Sequence, residues 1–358
     1  MNPAKLAKTP PVATGRARTE ALCAILRGRR RLLVLTHNNP DPDSLGGALG
    51  LMELARLAAG VESRFAITGK ILRAENQAMV RELGIQMDRL ETIQLADFDC
   101  VALVDTQPGL GHTFVPAGTQ VDIVLDHHQS AEGELPSGNN ATFVDVRPEI
   151  GSTSAIVTGH LIEAGVKPSR EAATALFYGI MTDTADLSRN VSEVDLRAQE
   201  FLFPLVDRPK LAAIRSPRLP LGYYQVLRDA LDKVRLYDGV TLCSLGRTGS
   251  AEMVAEVADL LLRMEGVRAV FCGGMVGSSY YLSVRTEPGG DAWRLIRAAM
   301  EGEPGSSGGH GAVAGGTIQL DAADSRTLRR LERRLERNIL RSMGVSGSNA
   351  AILGNRDD

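Results

Sequence analysis

The chain has 358 residues, a net charge of −3, a pI near 6.1 and 44% apolar residues. That apolar content excludes a disordered polymer, and the length predicts two domains rather than one. Near-balanced charge excludes a global basic field for a long polyanion, so a nucleic-acid ligand is expected to meet a local patch.

In chain order, residues 1–17 are rich in Pro, Lys, Ala and Thr and read as a flexible tail without the apolar segment of a signal peptide. A first domain is expected over 18–203, where apolar runs alternate with helical patterns. Strands are predicted at 31–36, 63–68, 100–105, 121–125 and 141–146, and helices at 44–59, 73–83, 152–164 and 169–181. This alternation specifies an α/β fold, a parallel sheet with helices on both faces. Ser44 reads as the N-cap of the first long helix, and Gly46, Gly47 and Gly50 as positions that let it approach the sheet. A proline-punctuated linker, 204–222, leads to a smaller α/β domain over 223–343, and 344–358 reads as a second tail. In this second domain helices are expected at 223–234, 252–265, 291–300 and 325–342. Strands are expected at 240–245, 268–273, 280–286 and 313–320, with a Gly/Ser loop at 302–311. Leu328, Leu331, Leu335 and Ile339 share one face of the last helix, whose arginines read as a solvated outer face.

Cys23, Cys100, Cys243 and Cys272 form no Cys-x-x-Cys pair and read as buried reduced thiols. No run reaches the roughly eighteen apolar residues of a membrane span. The expectation is a soluble, cytoplasmic protein with no membrane partner.

Four elements finish in carboxylates or imidazoles. The first strand ends in His37-Asn-Asn-Pro-Asp41-Pro-Asp43, the third in Asp105, the fourth in Asp126-His127-His128, and a helix in Asp183-Thr184. In parallel sheets ligands gather at the carboxyl ends of strands. Convergence of Asp41, Asp43, Asp105 and Asp183 places four negative charges together, which two divalent cations neutralise. Carboxylates with imidazoles suit Mn²⁺ or Mg²⁺, with Co²⁺ or Zn²⁺ as substitutes. A hydroxide between two such ions is a strong nucleophile at neutral pH.

These motifs resemble, in order, the four motifs of DHH phosphoesterases. Ser307-Gly308-Gly309-His310, followed by Ala314-Gly315-Gly316, resembles the Gly-Gly-His signature of the DHH-associated C-terminal domain. The resemblance implies one metal on His37, Asp41, Asp105 and Asp183, and a second on Asp43, Asp105, His127 and Asp183, with Asp105 and Asp183 bridging. It further implies that Asp126 orients the imidazoles and that His128 faces the phosphate. Gly308, Gly309 and His310 would approach the substrate from a mobile loop, and Arg285, at a strand end, would clamp phosphate. Tyr280, Tyr281 and Trp293 read as core, with stacking on a base as the alternative, and His112 and His160 belong to no motif. Two positions depart from the family: Ala185 stands where many relatives have glycine, and Ser307 where a third glycine is common.

The implied activity is that of the nanoRNase/pAp-phosphatase type: metal-dependent hydrolysis of short oligonucleotides or linear dinucleotides such as pApA or pGpG to mononucleotides, with pAp a further substrate. An inorganic pyrophosphatase or polyphosphatase would share the N-terminal motifs but lack the Gly-Gly-His domain. A RecJ-type single-strand exonuclease normally carries additional domains. A nucleotide-binding sensor is the non-enzymatic alternative, and a homodimer is compatible with all of these.

Overall fold

The computed structural model describes residues 15–109, 113, 115–116, 118–129, 141–320, 324–345 and 350–353, and His310 in its main chain alone. The expected N-terminal tail up to residue 14, His112 and most of the C-terminal tail lie outside these residues. The chain divides into two compact units between Pro217 and Arg218.

In the first unit, α1 (Gly15–Arg27) precedes β1 (Arg31–Leu35), α2 (Pro42–Ala59), β2 (Glu62–Ile67), α3 (Ala74–Leu83) and the short β3 (Asp88–Arg89). Then come β4 (Cys100–Val104), β5 (Ile123–Asp126), β6 (Phe143–Val146), α4 (Thr153–Glu163), α5 (Arg170–Asp183), α6 (Glu193–Leu202) and α7 (Arg208–Arg215). The strands form a six-stranded sheet in the order β3-β2-β1-β4-β5-β6, with every pairing parallel. The order reverses between β1 and β4, which creates a crevice at their carboxyl ends.

Side chains alternate across β1 as the period of a strand requires: Leu32 and Val34 join one apolar cluster, Leu33 and Leu35 another. The first cluster takes buried side chains from all seven helices. Among the described residues, the second face is covered by loops and by the 3-10 turns at Leu90–Thr92 and Leu95–Asp97. Among the described residues the seven helices therefore pack mainly through one face of the sheet.

The glycines of α2 set its packing distances. A Cβ at Gly47 would lie 2.7 Å from Val104 of β4, and one at Gly46 would lie 2.7 Å from the Ala175 carbonyl of α5. Only part of the expected approach is therefore to the sheet; the rest is to a neighbouring helix. The stretch expected as a linker is largely helical, since it contains α7, whose Ile214 is buried in the first unit's core.

In the second unit α8 (Leu221–Leu231), β7 (Arg235–Tyr237), β8 (Val240–Arg247), α9 (Ala251–Leu262), β9 (Ala269–Val276) and β10 (Ser279–Thr286) come first. There follow α10 (Ala292–Ala299), β11 (Gly305–His310), β12 (Val313–Gln319), α11 (Ser325–Met343) and β13 (Ala351–Ile352). The sheet order is β11-β12-β10-β9-β8-β7-β13, antiparallel except for β8 with β9. Two expectations change here. The Gly/Ser segment thought to be a loop is mostly the edge strand β11, and Ala351–Ile352, placed in a tail, pairs with β7. Tyr280 is buried in one apolar cluster with Trp293 packed against it, Tyr281 packs against a second cluster, and all four cysteines are buried and free.

Candidate metal centre

The site forms where the sheet order reverses. His37 lies just beyond β1, Asp105 just beyond β4, Asp126 at the end of β5, and Asp41 and Asp43 at the start of α2. Asp183 is the last residue of α5. Asp41, not Ser44, is the N-cap of α2: its Oδ1 accepts from the main-chain N–H of Asp43 and Ser44 at 3.1 and 3.0 Å. The Ser44 hydroxyl in turn accepts from the N–H of Asp41. With Pro42 at the first helical position, Asp-Pro-Asp supplies cap, fixed φ and a carboxylate at the positive end of the helix dipole.

Asp105 is the hinge of the centre. Its φ of +61° is in the left-handed region, which is costly for a side chain other than glycine and concentrates at functional sites. Its two carboxylate oxygens face opposite ways. Oδ2 lies 3.5 Å from His37 Nε2, and Oδ1 lies 3.7 Å from His127 Nε2 and 3.6 Å from His128 Nδ1. Three groups of donors result, each compact enough to surround one cation: His37, Asp41 and Asp105; Asp43, His127 and Asp183; and Asp105, His127 and His128. Asp183 Oδ2 is 3.0 Å from His127 Nε2, so it belongs with Asp43 rather than with the His37 group.

Both ligand-type histidines direct Nε2 inward, because Nδ1 of each faces a main-chain carbonyl, an acceptor that demands the ring N–H. His37 Nδ1 meets the Asn38 oxygen at 2.9 Å and His127 Nδ1 the Ile150 oxygen at 3.3 Å. His127 Nε2 is buried, with Asp183 Oδ2 3.0 Å away but out of hydrogen-bonding alignment. A buried imidazole nitrogen so placed among carboxylates fits a metal ligand.

Electrostatics point the same way. Burial, then repulsion from Asp105 and Asp183, pushes the Asp43 carboxyl well above the usual carboxylate range. It does so although Asp43 accepts from the N–H groups of Thr153 and Ser154 at 2.7 and 2.8 Å. Burial likewise raises Asp183, with the charges of Asp41 and Asp105 adding to it and His127 opposing. Burial disfavours protonation of His37, but the facing carboxylates of Asp105 and Asp41 outweigh it and push the imidazole up to about 11. His127 is pushed up to about 10 by Asp183, Asp43 and Asp105 against the same burial. Among the described residues no Lys or Arg pairs with these four aspartates, so the cluster relies on external cations or on protons.

Asp126 is buried and holds one imidazole, that of His128, while from His127 it takes only the main-chain N–H. Its Oδ1 accepts from the N–H groups of His127 and His128 at 2.8 and 3.1 Å and from His128 Nδ1 at 2.8 Å. Burial opposes its ionisation, yet these bonds hold it below the usual range. The His128 side chain is 39% exposed, against 14% for His37 and 15% for His127.

The sequence reading missed two supporting residues. Gln107 donates to Asp126 Oδ2 and to the His128 carbonyl, each at 2.8 Å. Thr153 donates its hydroxyl to Asp105 Oδ1 at 2.8 Å. Gln107 lies outside any motif, but Gly151-Ser-Thr-Ser opening a helix is a cap signal that could have pointed to the second.

The substrate residues expected from the second unit are placed differently. Arg285 is buried, its guanidinium engaged by Asp259, the Ser283 hydroxyl and the Val284 carbonyl. The phosphate clamp read into it therefore meets a side chain already held within its own unit. Gly308 has open space where a Cβ would lie, whereas a Cβ on Gly309 would strike the main chain of Val313 and Ala314 at 2.5 Å. Gly309 is thus required by strand pairing. The His310 side chain is outside the described residues.

A parallel sheet with aspartates and histidines converging at its switch point, followed by a separate mixed-sheet unit, is the plan of the DHH family. The chain belongs to that family: the model of the DHH family's N-terminal domain matches residues 31–180 and that of the DHHA1 domain residues 238–337. Among curated relatives, an uncharacterized protein of Methanocaldococcus jannaschii is 34% identical over 88% of this chain and 64% of its own length. The A-adding tRNA nucleotidyltransferase of Geobacter sulfurreducens is 25% identical over 85% of this chain and 34% of its own. A probable manganese-dependent inorganic pyrophosphatase of Streptococcus agalactiae is 28% identical over 43% and 48%. The chain thus spans less than two thirds of each of these relatives. Two solved structures share the fold. An exopolyphosphatase-related protein from Bacteroides fragilis has a TM-score of 0.72 at 16% identity, covering 92% of this chain and 98% of that one. RecJ with Mn²⁺ from Thermus thermophilus has 0.54 at 17%, covering 94% and 56%. No helix among the described residues is long and apolar enough to cross a membrane.

Proposed function

We propose that the chain is a metal-dependent phosphodiesterase that hydrolyses short oligonucleotides or linear dinucleotides such as pApA or pGpG to mononucleotides, and that it also acts on pAp. The observation that carries this reading is Asp105, whose two carboxylate oxygens serve two adjacent donor groups. One divalent cation would be held by His37, Asp41 and Asp105, and a second by Asp43, Asp105, His127 and Asp183, with Mn²⁺ suited to both by the mixture of carboxylate and imidazole. Bound there, such ions acidify water and neutralise charge on phosphoryl oxygens.

The protein's own residues do the rest. Asp43, Asp105 and Asp126 form a buried floor, while the more exposed Asp41 and His128 border the open side. Asp126 fixes the His128 ring through Nδ1, and its charge, with that of Asp105, outweighs burial and raises the imidazole. A protonated His128 on the open side would bind a phosphate oxygen and stabilise charge developing there. Gln107 holds Asp126 for that task. In the second unit, Gly308 is exposed with open space where a side chain would lie, which would let a nucleotide approach the strand closely.

The nucleotide assignment draws on the DHHA1 domain. The match to the pyrophosphatase covers only 155 residues, and that relative favours pyrophosphate as the second reading. Purified protein with Mn²⁺ should be assayed against pApA, pGpG, pAp, single-stranded DNA, pyrophosphate and polyphosphate. Fastest turnover of a dinucleotide supports the proposal; turnover of pyrophosphate alone would replace it with the second reading.

A further inference from the structure

Helix α11 carries seven arginines and two glutamates, and its surface is far more basic than that ratio suggests. Both glutamates turn toward the sheet, where Glu332 accepts from the Ser244 hydroxyl and Glu336 accepts from Tyr237 Oη and pairs with Arg235. Leu331, Leu335, Ile339 and Leu340 are buried in the unit's core. Arg334 and Arg341 pair with Glu303 and Glu301. The remaining five, Arg326, Arg329, Arg330, Arg333 and Arg337, are exposed, and among the described residues none has an acidic partner at ion-pair distance.

Four of them line up. At 3.6 residues per turn, Arg326, Arg330, Arg333 and Arg337 fall within an arc of about 60° and span about 16 Å along the axis. Like charges spaced three and four residues apart destabilise a helix, so this row carries a cost to the fold that nothing within the unit's described residues offsets. We propose that it is a sequence-independent binding strip for the phosphate backbone of a single nucleic-acid strand.

The ligand follows from the chemistry of the face. Guanidinium forks match phosphate oxygens bidentately and remain charged at any working pH. An amphipathic helix that enters a bilayer needs an exposed apolar side, and here that side is in the core. A protein interface needs large apolar or aromatic anchors, and no large apolar residue of α11 is exposed. What remains is repeated positive charge for a ligand of repeated negative charge. The strip is independent of the metal chemistry and concerns a strand longer than a dinucleotide.

The test is fluorescence anisotropy on the full chain with labelled oligo(A) and oligo(dA) of about 20 nucleotides, in EDTA so that no turnover occurs. With four phosphates neutralised and a slope near −0.7 per phosphate, Kd should rise about 50-fold between about 50 and 200 mM salt. The variant R326A/R330A/R333A/R337A should bind at least about tenfold more weakly with a nearly flat salt dependence. The corresponding four-lysine variant should retain the slope, and circular dichroism should show both folded. Any turnover of pApA should be unchanged in both variants, and because binding is read without metal, failure of the hydrolase proposal would leave this test intact. Wild-type-like binding by the alanine variant would overturn the strip. So would equal affinity for poly-glutamate or for anionic vesicles.

Discussion

Replacing Asp126 by Asn removes one charge and inverts one hydrogen-bonding position. Oδ1 accepts from three donors, the His127 and His128 N–H groups and His128 Nδ1, so the new amide must keep its oxygen there. Its NH₂ then takes the place of Oδ2, 2.8 Å from Gln107 Nε2, and sets donor against donor. Gln107 cannot simply flip, because the same NH₂ also donates to the His128 carbonyl. One buried polar clash of this kind costs about 1–3 kcal/mol, and loosening a ligand-orienting residue typically lowers metal affinity or activity by about 10–100-fold. Urea unfolding would read the first effect and kcat/KM with Mn²⁺ the second. Activity within about twofold of wild type in a folded variant would refute the orienting role, since the loss expected from that role is at least about tenfold.

Thr153→Val removes the hydroxyl that donates to Asp105 Oδ1 with little change of volume, and should lower kcat/KM about tenfold while leaving fold and secondary structure intact. Ala185→Gly should stabilise the chain by about 0.5–1 kcal/mol in a denaturant titration, because Ala185 is exposed with φ +47° and loses no packing; a net loss would contradict the strain argument. Asp145 is buried, and although burial opposes its ionisation, His160, Arg147 and Arg18 hold its carboxyl below the usual range. A depressed carboxylate contributes stability that is complete above its unfolded pKa and disappears as pH falls through the folded value. Asp145→Asn should therefore cost about 3 kcal/mol at neutral pH, with the gap from wild type closing in acid below about pH 4; a pH-independent gap would point to packing instead.

The convergence of the candidate residues was legible because they are tied to strand ends, where a parallel sheet must place them. His37, Asp105 and Asp126 follow β1, β4 and β5 for that reason. Gln107 and Thr153 were not legible, since they act through partners brought together only by tertiary structure. The cap of α2 was misplaced because Ser44 and Asp41 share a reciprocal capping box in which either can pass for the cap. Arg285 read as an available cation because Asp259 lies on α9, and nothing local to β10 announces it. The segment 302–311 read as a loop because glycine and serine weaken strand patterning; pairing with β12 supplies what propensity does not. Alanine at 185 stands in a left-handed turn that continues through Asp186 and Leu187, a conformation that glycine would adopt without strain.

If Asp105 joins two cation sites, the protein's metal content will report it. Wild-type protein loaded with Mn²⁺, desalted and analysed by inductively coupled plasma mass spectrometry should hold two ions per chain. His37→Ala should hold one, and Asp105→Ala fewer than one. One ion per chain in the wild type, or two retained by Asp105→Ala, would rule out a carboxylate shared between two cations.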